Sequence, residues 1–262
     1  MMTWTQALLP RRPLLPAVKV FVAFGWAMTV LVLWTGLPYK TLPGPDEVLR
    51  ALSTLWWHGG LGAELLTTLR IIGHATLLAT AASLLLAYAS IVPLLRPLVQ
   101  GISKLRFLGV AGLTFPLTLL LGGGYPLKVA LLTFGMGTFF VASMAQVVAS
   151  IPAQRFDHAR VLGASEGRIL WEVVVRGTLP EALEVLRQNV AMCWAMITAV
   201  EGISRAEGGI GAMALNQEKH IQLPEVYAVA LVILLCGLGI DYLAGVLTDL
   251  LCPSSRIDQV RR

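Results

Sequence analysis

The chain has 262 residues, of which 56% are hydrophobic and only 13% charged, with a formal net charge of +5 and a mean hydropathy of +0.74. A water-soluble protein of this length cannot bury so much apolar surface and keep a polar coat, so the composition points to an integral membrane protein. The apolar runs approach the ~20 residues that cross a hydrocarbon core as helix, and the absence of alternating strand patterns argues against a β-barrel.

In chain order, residues 1–17 read as a cytoplasmic N-terminus. The opening MMTWTQALLPRR has no small-residue cleavage site after its apolar run, so the first span, 18–37, is expected to remain as a signal-anchor helix. Residues 43–58 follow as a short interfacial helix: Pro43 and Pro45 start a turn, Asp46 and Glu47 suit a first helical turn, and Val48, Leu49, Leu52 and Leu55 make an apolar stripe. Trp56, Trp57 and His58 suit the headgroup level, as an anchor or as a solute contact. Further spans are expected at 65–89, 107–121, 127–149, 190–203 and 226–250, which makes an all-α protein of about six transmembrane helices in a single domain, 18–250. Gly122, Gly123, Gly124 and Pro126 place a tight turn between the third and fourth spans.

Basic residues set the orientation. With the N-terminus inside, fourteen of the twenty Lys and Arg fall on the cytoplasmic side, and Lys40, Arg50, Arg70, Lys128, Arg205 and Lys219 do not. Topology therefore accounts for the positive charge, and no nucleic-acid-binding motif accompanies it. The C-terminus, 251–262, is read as cytoplasmic. Cys193, Cys236 and Cys252 have no paired or metal-ligand spacing and read as small core residues.

The one long polar interruption is RFDHARVLGASEGRILWEVVVRGTLPEALEVLR, residues 155–187, within a cytoplasmic loop taken as 152–187. Residues 155–162 have helical spacing, Gly163 permits a left-handed turn, and residues 166–176 can form a second short helix that Gly177 and Pro180 end. Two short helices meeting at a glycine make a stiff foot, able to transmit a rigid-body push from a docked partner; a generic loop is the plainer alternative.

Within the membrane, charges need partners or water. Glu201, near Thr198, Ser204 and Arg205, either lines a pathway or pairs with Arg205 or Arg70. Arg70 and His74 lie one turn apart, and Arg70 is either an anion contact or an interfacial snorkelling arginine. Asp241 in the sixth span needs a partner in this chain or in another copy. There is no GxxxxGK[ST], HExxH or GxSxG run and no cysteine-histidine metal set, so the chain is read as non-catalytic.

The loop resembles the one by which permeases of binding-protein-dependent ABC importers grip their ATPases, a Glu-Ala-Ala, three residues, Gly pattern followed by a Pro. Here Asp157, His158, Ala159 and Gly163 occupy it, with Asp for Glu, His for the first Ala, and Pro180 a little beyond the usual distance. The run LGAS with Gly163, Ala164 and Ser165, then Leu186, Arg187, Trp194, Glu201, Gly209 and Gly211, together with LPGPDEVLRAL and the TTLR ending at Arg70, is similar to the nitrate, sulfonate, taurine and bicarbonate branch; the glycine-rich residues 107–125 depart from it.

This resemblance implies a permease subunit in a bacterial inner membrane, both termini cytoplasmic, passing a small anion or related solute by alternating access. It implies two permease subunits, most simply a homodimer, two cytoplasmic ABC ATPase subunits and a solute-binding protein outside. No cofactor is expected on this chain, ATP and Mg being held by the ATPases. Asp157, His158, Ala159, Gly163, Ala164, Ser165 and Pro180 are the coupling residues so implied, and Arg70, His74, Trp194, Thr198 and Glu201 the pathway candidates. An ion-gradient-driven transporter would show inverted repeats, and none is evident. An intramembrane enzyme would need polar catalytic residues gathered at one depth.

Overall fold

The computed structural model describes residues 16–36, 43–204 and 207–251, and all regular structure among them is helical. Helix α1 is Pro16–Gly36, α2 Pro45–Trp57 and α3 Leu61–Ala89. Then come α4, Arg96–Lys104, a 3-10 turn at Leu105–Leu108, α5, Gly109–Leu121, and α6, Tyr125–Ala149. Next are the short α7, Ala153–Val161, and α8, Glu166–Ile169, which continues as a π-helix over Leu170–Val175. The chain closes with α9, Leu179–Ile203, α10, Ile210–Lys219, and α11, Leu223–Leu251.

Among the described residues, four segments are long and apolar enough to cross a membrane: Leu61–Ala89, Arg96–Leu121, Tyr125–Ala149 and Leu223–Leu251. Helix α1 has a shorter apolar stretch, Val20–Trp34. Helix α9 has the length, at 25 residues, but carries Glu181, Glu184, Arg187 and Glu201. Two expected boundaries change. The third span is not a helix from 107 but the end of a longer one, broken where Gly109 takes φ +67 after the 3-10 turn. The fifth begins at Leu179 rather than 190, because the polar residues before it are its first turns. The expected tight turn after the third span is present, with Gly122 at φ +74 and Gly124 at φ +80.

In α2 the Gly44 amide donates to Glu47 Oε2 at 3.1 Å, satisfying one donor at the helix start, and Val48, Ala51 and Leu55 are buried. Leu49, expected on that stripe, points outward, and Ala51 takes the buried place. Trp56 and Trp57 are exposed.

The core is built on α3 and α6. Ala75, Ala79, Ser83 and Ala87 give α3 a small-residue face, and against it lie Leu132, Met136, Phe140 and Met144 of α6. Membrane helices lack a hydrophobic drive toward each other, so such close approach and interhelical hydrogen bonds do the holding. Ser83 Oγ donates to the Gly137 carbonyl at 3.1 Å. Helix α9 completes this core with Cys193, Trp194, Ile197 and Val200. A second cluster joins α2, Leu61, Ile210 and the α11 residues Ala228, Val229 and Val232.

Helices α9 and α11 are also joined by charge. Arg187 Nε and Nη2 donate to Asp241 Oδ1 and Oδ2 at 2.9 and 2.8 Å, so the partner that Asp241 needs lies in its own chain. Neither side chain is deeply buried. Gly245 leaves room for the guanidinium, since a Cβ there would lie 3.4 Å from Arg187 Cζ. Arg187→Gln and Asp241→Asn are each expected to lower the melting temperature of the purified protein slightly, with little further loss in the double variant.

Candidate functional site

Two places concentrate polar structure, and they lie at opposite ends of the bundle. Thr68 near the start of α3, Lys128 near the start of α6 and Glu201 near the end of α9 come together at one end. The α7–α8 segment follows the end of α6 and precedes α9, so it stands at the other.

That segment is a foot. Helix α7 ends in a C-cap motif in which the Gly163 amide donates to the Arg160 carbonyl at 2.9 Å and the Ala164 amide to the Ala159 carbonyl at 3.1 Å. Gly163 has φ +75, which a residue without Cβ adopts freely. Across the turn, Arg160 Nε donates to Glu166 Oε1 at 3.0 Å, and Asp157 approaches Arg160 at 3.5 Å. The hydrogen bond from Arg160 holds the Glu166 carboxyl below its ordinary value of 4.5 and raises Arg160 in turn. A depressed carboxyl contributes above its unfolded value, so the bridge is complete at neutral pH and is lost only as acidification passes below that range. Fully exposed, it orients the two helices more than it stabilises them.

His158 Nδ1 lies 3.0 Å from the Gln154 carbonyl, Ala159 is half-buried, and Ser165 precedes α8 in extended conformation. Ile169 and Val174 are buried, and a Cβ on Gly177 would fall 2.2 Å from the Val173 carbonyl oxygen. The foot therefore closes tightly on its π-helix side. A groove of about 490 Å³ runs between α7 and that side, lined by His158, Ala159, Leu162, Glu172 and Gly177 among others. Val161 and Leu162 are 87% and 85% exposed, and Trp171 of the π-helix is exposed as well. Pro180 does not end the second helix as expected; it lies in the first turn of α9, where a missing N–H leaves no bond unmade.

At the other end is a buried polar node. Helix α10 begins after Gly208 and Gly209, neither of which has a side chain to cap it. Its first donors are met from other helices instead. The Gly209 amide donates to Glu64 Oε2, the Ile210 amide to Thr68 Oγ1 at 2.9 Å, and the Gly211 amide to Glu201 Oε2 at 2.7 Å. Thr68 in turn donates to Glu201 Oε1 at 2.7 Å, and Lys128 Nζ donates to the Gly208 carbonyl at 2.6 Å. Lys128 and Glu201 are both fully buried. Two carboxylates at a helix N-terminus also oppose its positive dipole end. The glycines are sterically required: a Cβ on Gly211 would lie 2.6 Å from the Thr198 backbone, and one on Gly209 would run into the Glu201 carboxylate.

Of the pathway candidates, Glu201 and Thr198 thus belong to one place, Glu201 inside the node and Thr198 against Gly211. Of the alternatives for Glu201, the ion pair with Arg70 is not made; its partners are Thr68 and the α10 backbone, and Arg70 is exposed on α3. Arg205 and Cys252 lie outside the described residues. Trp194 is buried between α9 and α11, its Nε1 donating to the Ile233 carbonyl at 3.0 Å, with Gly237 against the ring. His74 is exposed, and its Nδ1 is hydrogen-bonded to the Tyr125 hydroxyl. Beside it an apolar groove of about 680 Å³ is lined by Leu77, Tyr125, Val129, Thr133 and Phe134.

Sequence reasoning missed Glu64, Thr68 and Lys128 as members of one cluster. Lys128 reads as a flanking cation near the start of an apolar span; the signal that could have marked it is a lysine with glutamates at the ends of other spans.

A bundle that crosses the membrane, with a rigid foot at one end, defines the membrane subunit of a transporter. The family described as binding-protein-dependent transport system inner membrane component matches residues 83–256, more than half of the chain, and the chain belongs to it. Its members are the permease subunits of ABC importers; they are not themselves catalytic, ATP being hydrolysed on a separate subunit, and they work with a solute-binding partner.

Among relatives, the taurine transport system permease protein TauC of Escherichia coli K12 is 28% identical over 248 residues, 87% of this chain and 86% of that one. A probable ABC transporter permease protein of Brucella melitensis is 28% identical over 208 residues, 77% of this chain and 82% of its own. The MetNI methionine ABC transporter, solved in inward-facing conformations, has the same fold, with a TM-score of 0.57 at 16% identity over 75% of this chain and 96% of that one.

The node generates two expectations. Glu201→Gln is not neutral despite equal size, because both oxygens accept hydrogen bonds and an amide nitrogen cannot. A loss of about 1–3 kcal/mol is expected in thermal melts. Gly211→Ala should destabilise by about 1–3 kcal/mol, since α9 and α10 must part to admit the methyl group. Unchanged melting in both variants would show that the node does not hold α10.

Proposed function

We propose that this chain is the permease of an importer for a small organic anion of the sulfonate or taurine kind, with the foot as its coupling element. The supporting observation is the foot itself: a glycine-hinged pair of short helices, held by Arg160 and Glu166, with Val161, Leu162 and Trp171 left uncovered. In this reading Asp157, His158, Ala159, Gly163, Ala164 and Ser165 seat in an ABC ATPase, and Pro180 starts the helix that carries the motion into the membrane. ATP and Mg belong to two ATPase copies, and this chain binds no cofactor. The foot end, the loop 152–187 and both termini are then cytoplasmic, and the node faces the solute-binding protein, as the distribution of basic residues supports.

Helix α9 supplies the pathway wall. Its outward face carries Glu184, Gln188, Ala191, Ala195 and Ala199, too polar and too small for a lipid contact and suited to water or to a second copy of the chain. A homodimer meeting there encloses a central path, with Thr198, Arg70 and His74 toward its outer mouth and Glu201 and Trp194 fixing its wall. Closure of the ATPases rocks the two bundles through their feet. The taurine permease relative supports a sulfonate as cargo.

Two measurements test this. Reconstituted with its ATPase and binding protein, the complex should take up taurine or another small sulfonate with ATP; failure across sulfonates, nitrate and bicarbonate removes the cargo class. Gly163→Val should leave the protein in the membrane but abolish solute-stimulated ATP hydrolysis. A left-handed valine costs about 1–2 kcal/mol and misdirects the second helix of the foot. Full stimulation in Gly163→Val rejects the foot as coupling element.

A further inference from the structure

Helix α10 and the start of α11 form a hairpin. Ile210 shares a buried cluster with Ala228 and Val229, so α10 climbs away from the node, and the tip is His220, Ile221 and Gln222, all exposed. The turn closes by the usual helix-ending bonds, the Ile221 amide donating to the Glu218 carbonyl at 3.0 Å and the Gln222 amide to the Gln217 carbonyl at 3.1 Å. The first of these two residues, just past the helix cap His220, must be left-handed. That place belongs to glycine, or to asparagine, yet here it is a β-branched isoleucine at φ +57, the one non-glycine residue with positive φ among those described.

A single exposed apolar side chain needs no explanation, and neither does a strained residue whose side chain packs. Ile221 combines strain with exposure: the residue is 79% exposed, so little packing within the chain offsets its backbone conformation. Strained residues of this kind cluster at ligand clamps, switches and other functional places. Glu218, Lys219, His220 and Gln222 surround it with polar groups, the pattern of an apolar contact centre within a polar rim. Its mount is rigid, since four side chains from α3, α6 and α9 fix the other end of α10.

We propose that Ile221 is a docking knob for the importer's solute-binding protein, seated in an apolar pocket of that partner while its polar neighbours form the rim. The family is binding-protein-dependent, and the tip stands at the end of the bundle opposite the foot, the side that the importer reading gives to that soluble partner. This inference rests on the importer reading and its sidedness. A lone isoleucine among Lys219, His220 and Gln222 is a poor membrane anchor, and that alternative is an outcome of the test.

The experiment uses the full complex, in lipid nanodiscs and in detergent, titrated with the cognate solute-binding protein purified with its solute bound. The reading is the concentration of that protein giving half-maximal stimulation of ATP hydrolysis. Ile221→Asn keeps the left-handed turn and removes the knob; it should raise that concentration about ten-fold, with basal hydrolysis and membrane abundance unchanged. Ile221→Leu keeps an apolar knob and should stay within about two-fold of the unsubstituted protein. The proposal is overturned by an unchanged value in Ile221→Asn, by equal losses in both variants, or by a fall in basal hydrolysis or abundance. An effect confined to nanodiscs assigns the knob to lipid and overturns it as well. No stimulation in the unsubstituted complex removes the importer reading itself.

Discussion

The structure depends on how helix α10 is allowed to begin. A helix start leaves donors without partners, and at the edge of a membrane those donors must find acceptors within the protein. The residues before α10 are glycines, so no local side chain can cap it. Glu64 and Thr68 from α3 and Glu201 from α9 do so, and Lys128 from α6 holds the incoming carbonyl. One local requirement thereby fastens three membrane helices to one short one. The glycines serve the same constraint from the other side, since only backbone without Cβ can come so close to Glu201 and to the Thr198 backbone.

From that fastening the two ends of the molecule acquire different mechanical characters. At the node, polar groups are buried, mutually satisfied and shared among several helices, so a motion of α9 carries α10 and its tip along. At the foot, the polar groups are exposed and local: Arg160 with Glu166, and the α7 end capped by its own backbone. The foot is stiff within itself but offers Val161, Leu162 and Trp171 to something outside. Helices α6 and α9 lead from one end to the other through the packed core, where Phe140, Met144, Ile197 and Val200 leave little room to deform. Such a body transmits displacement as a unit, which is what a permease driven by a separate ATPase requires.

How far the sequence could be read depended on the range of the interaction concerned. Composition and run length were sufficient for a membrane protein of helices, because the bilayer imposes both on any chain that crosses it. The Gly163 turn, the short helix after Pro45 and the glycine turn between α5 and α6 were legible because each follows from the few residues around it. Boundaries failed where polarity was taken for a loop. Glu181, Glu184 and Arg187 are the first turns of α9, and Pro180 starts that helix instead of stopping the one before, since proline in a first helical turn costs no hydrogen bond.

The sequence by itself therefore determined the solvent, the helical class, the foot and the family resemblance, all of which rest on local pattern. Only the tertiary structure decided the partners of charges. Glu201 meets Thr68 at a separation of 133 residues, Lys128 meets the Gly208 carbonyl 80 residues away, and Asp241 meets Arg187 at 54. No periodicity carries such pairings, because they are fixed by which helix ends the packing of α3, α6 and α9 brings to the same depth. The strained isoleucine at the hairpin tip belongs with them. In the sequence Ile221 is one apolar residue before an apolar helix, and it becomes informative only when the backbone around it is seen to turn left-handed.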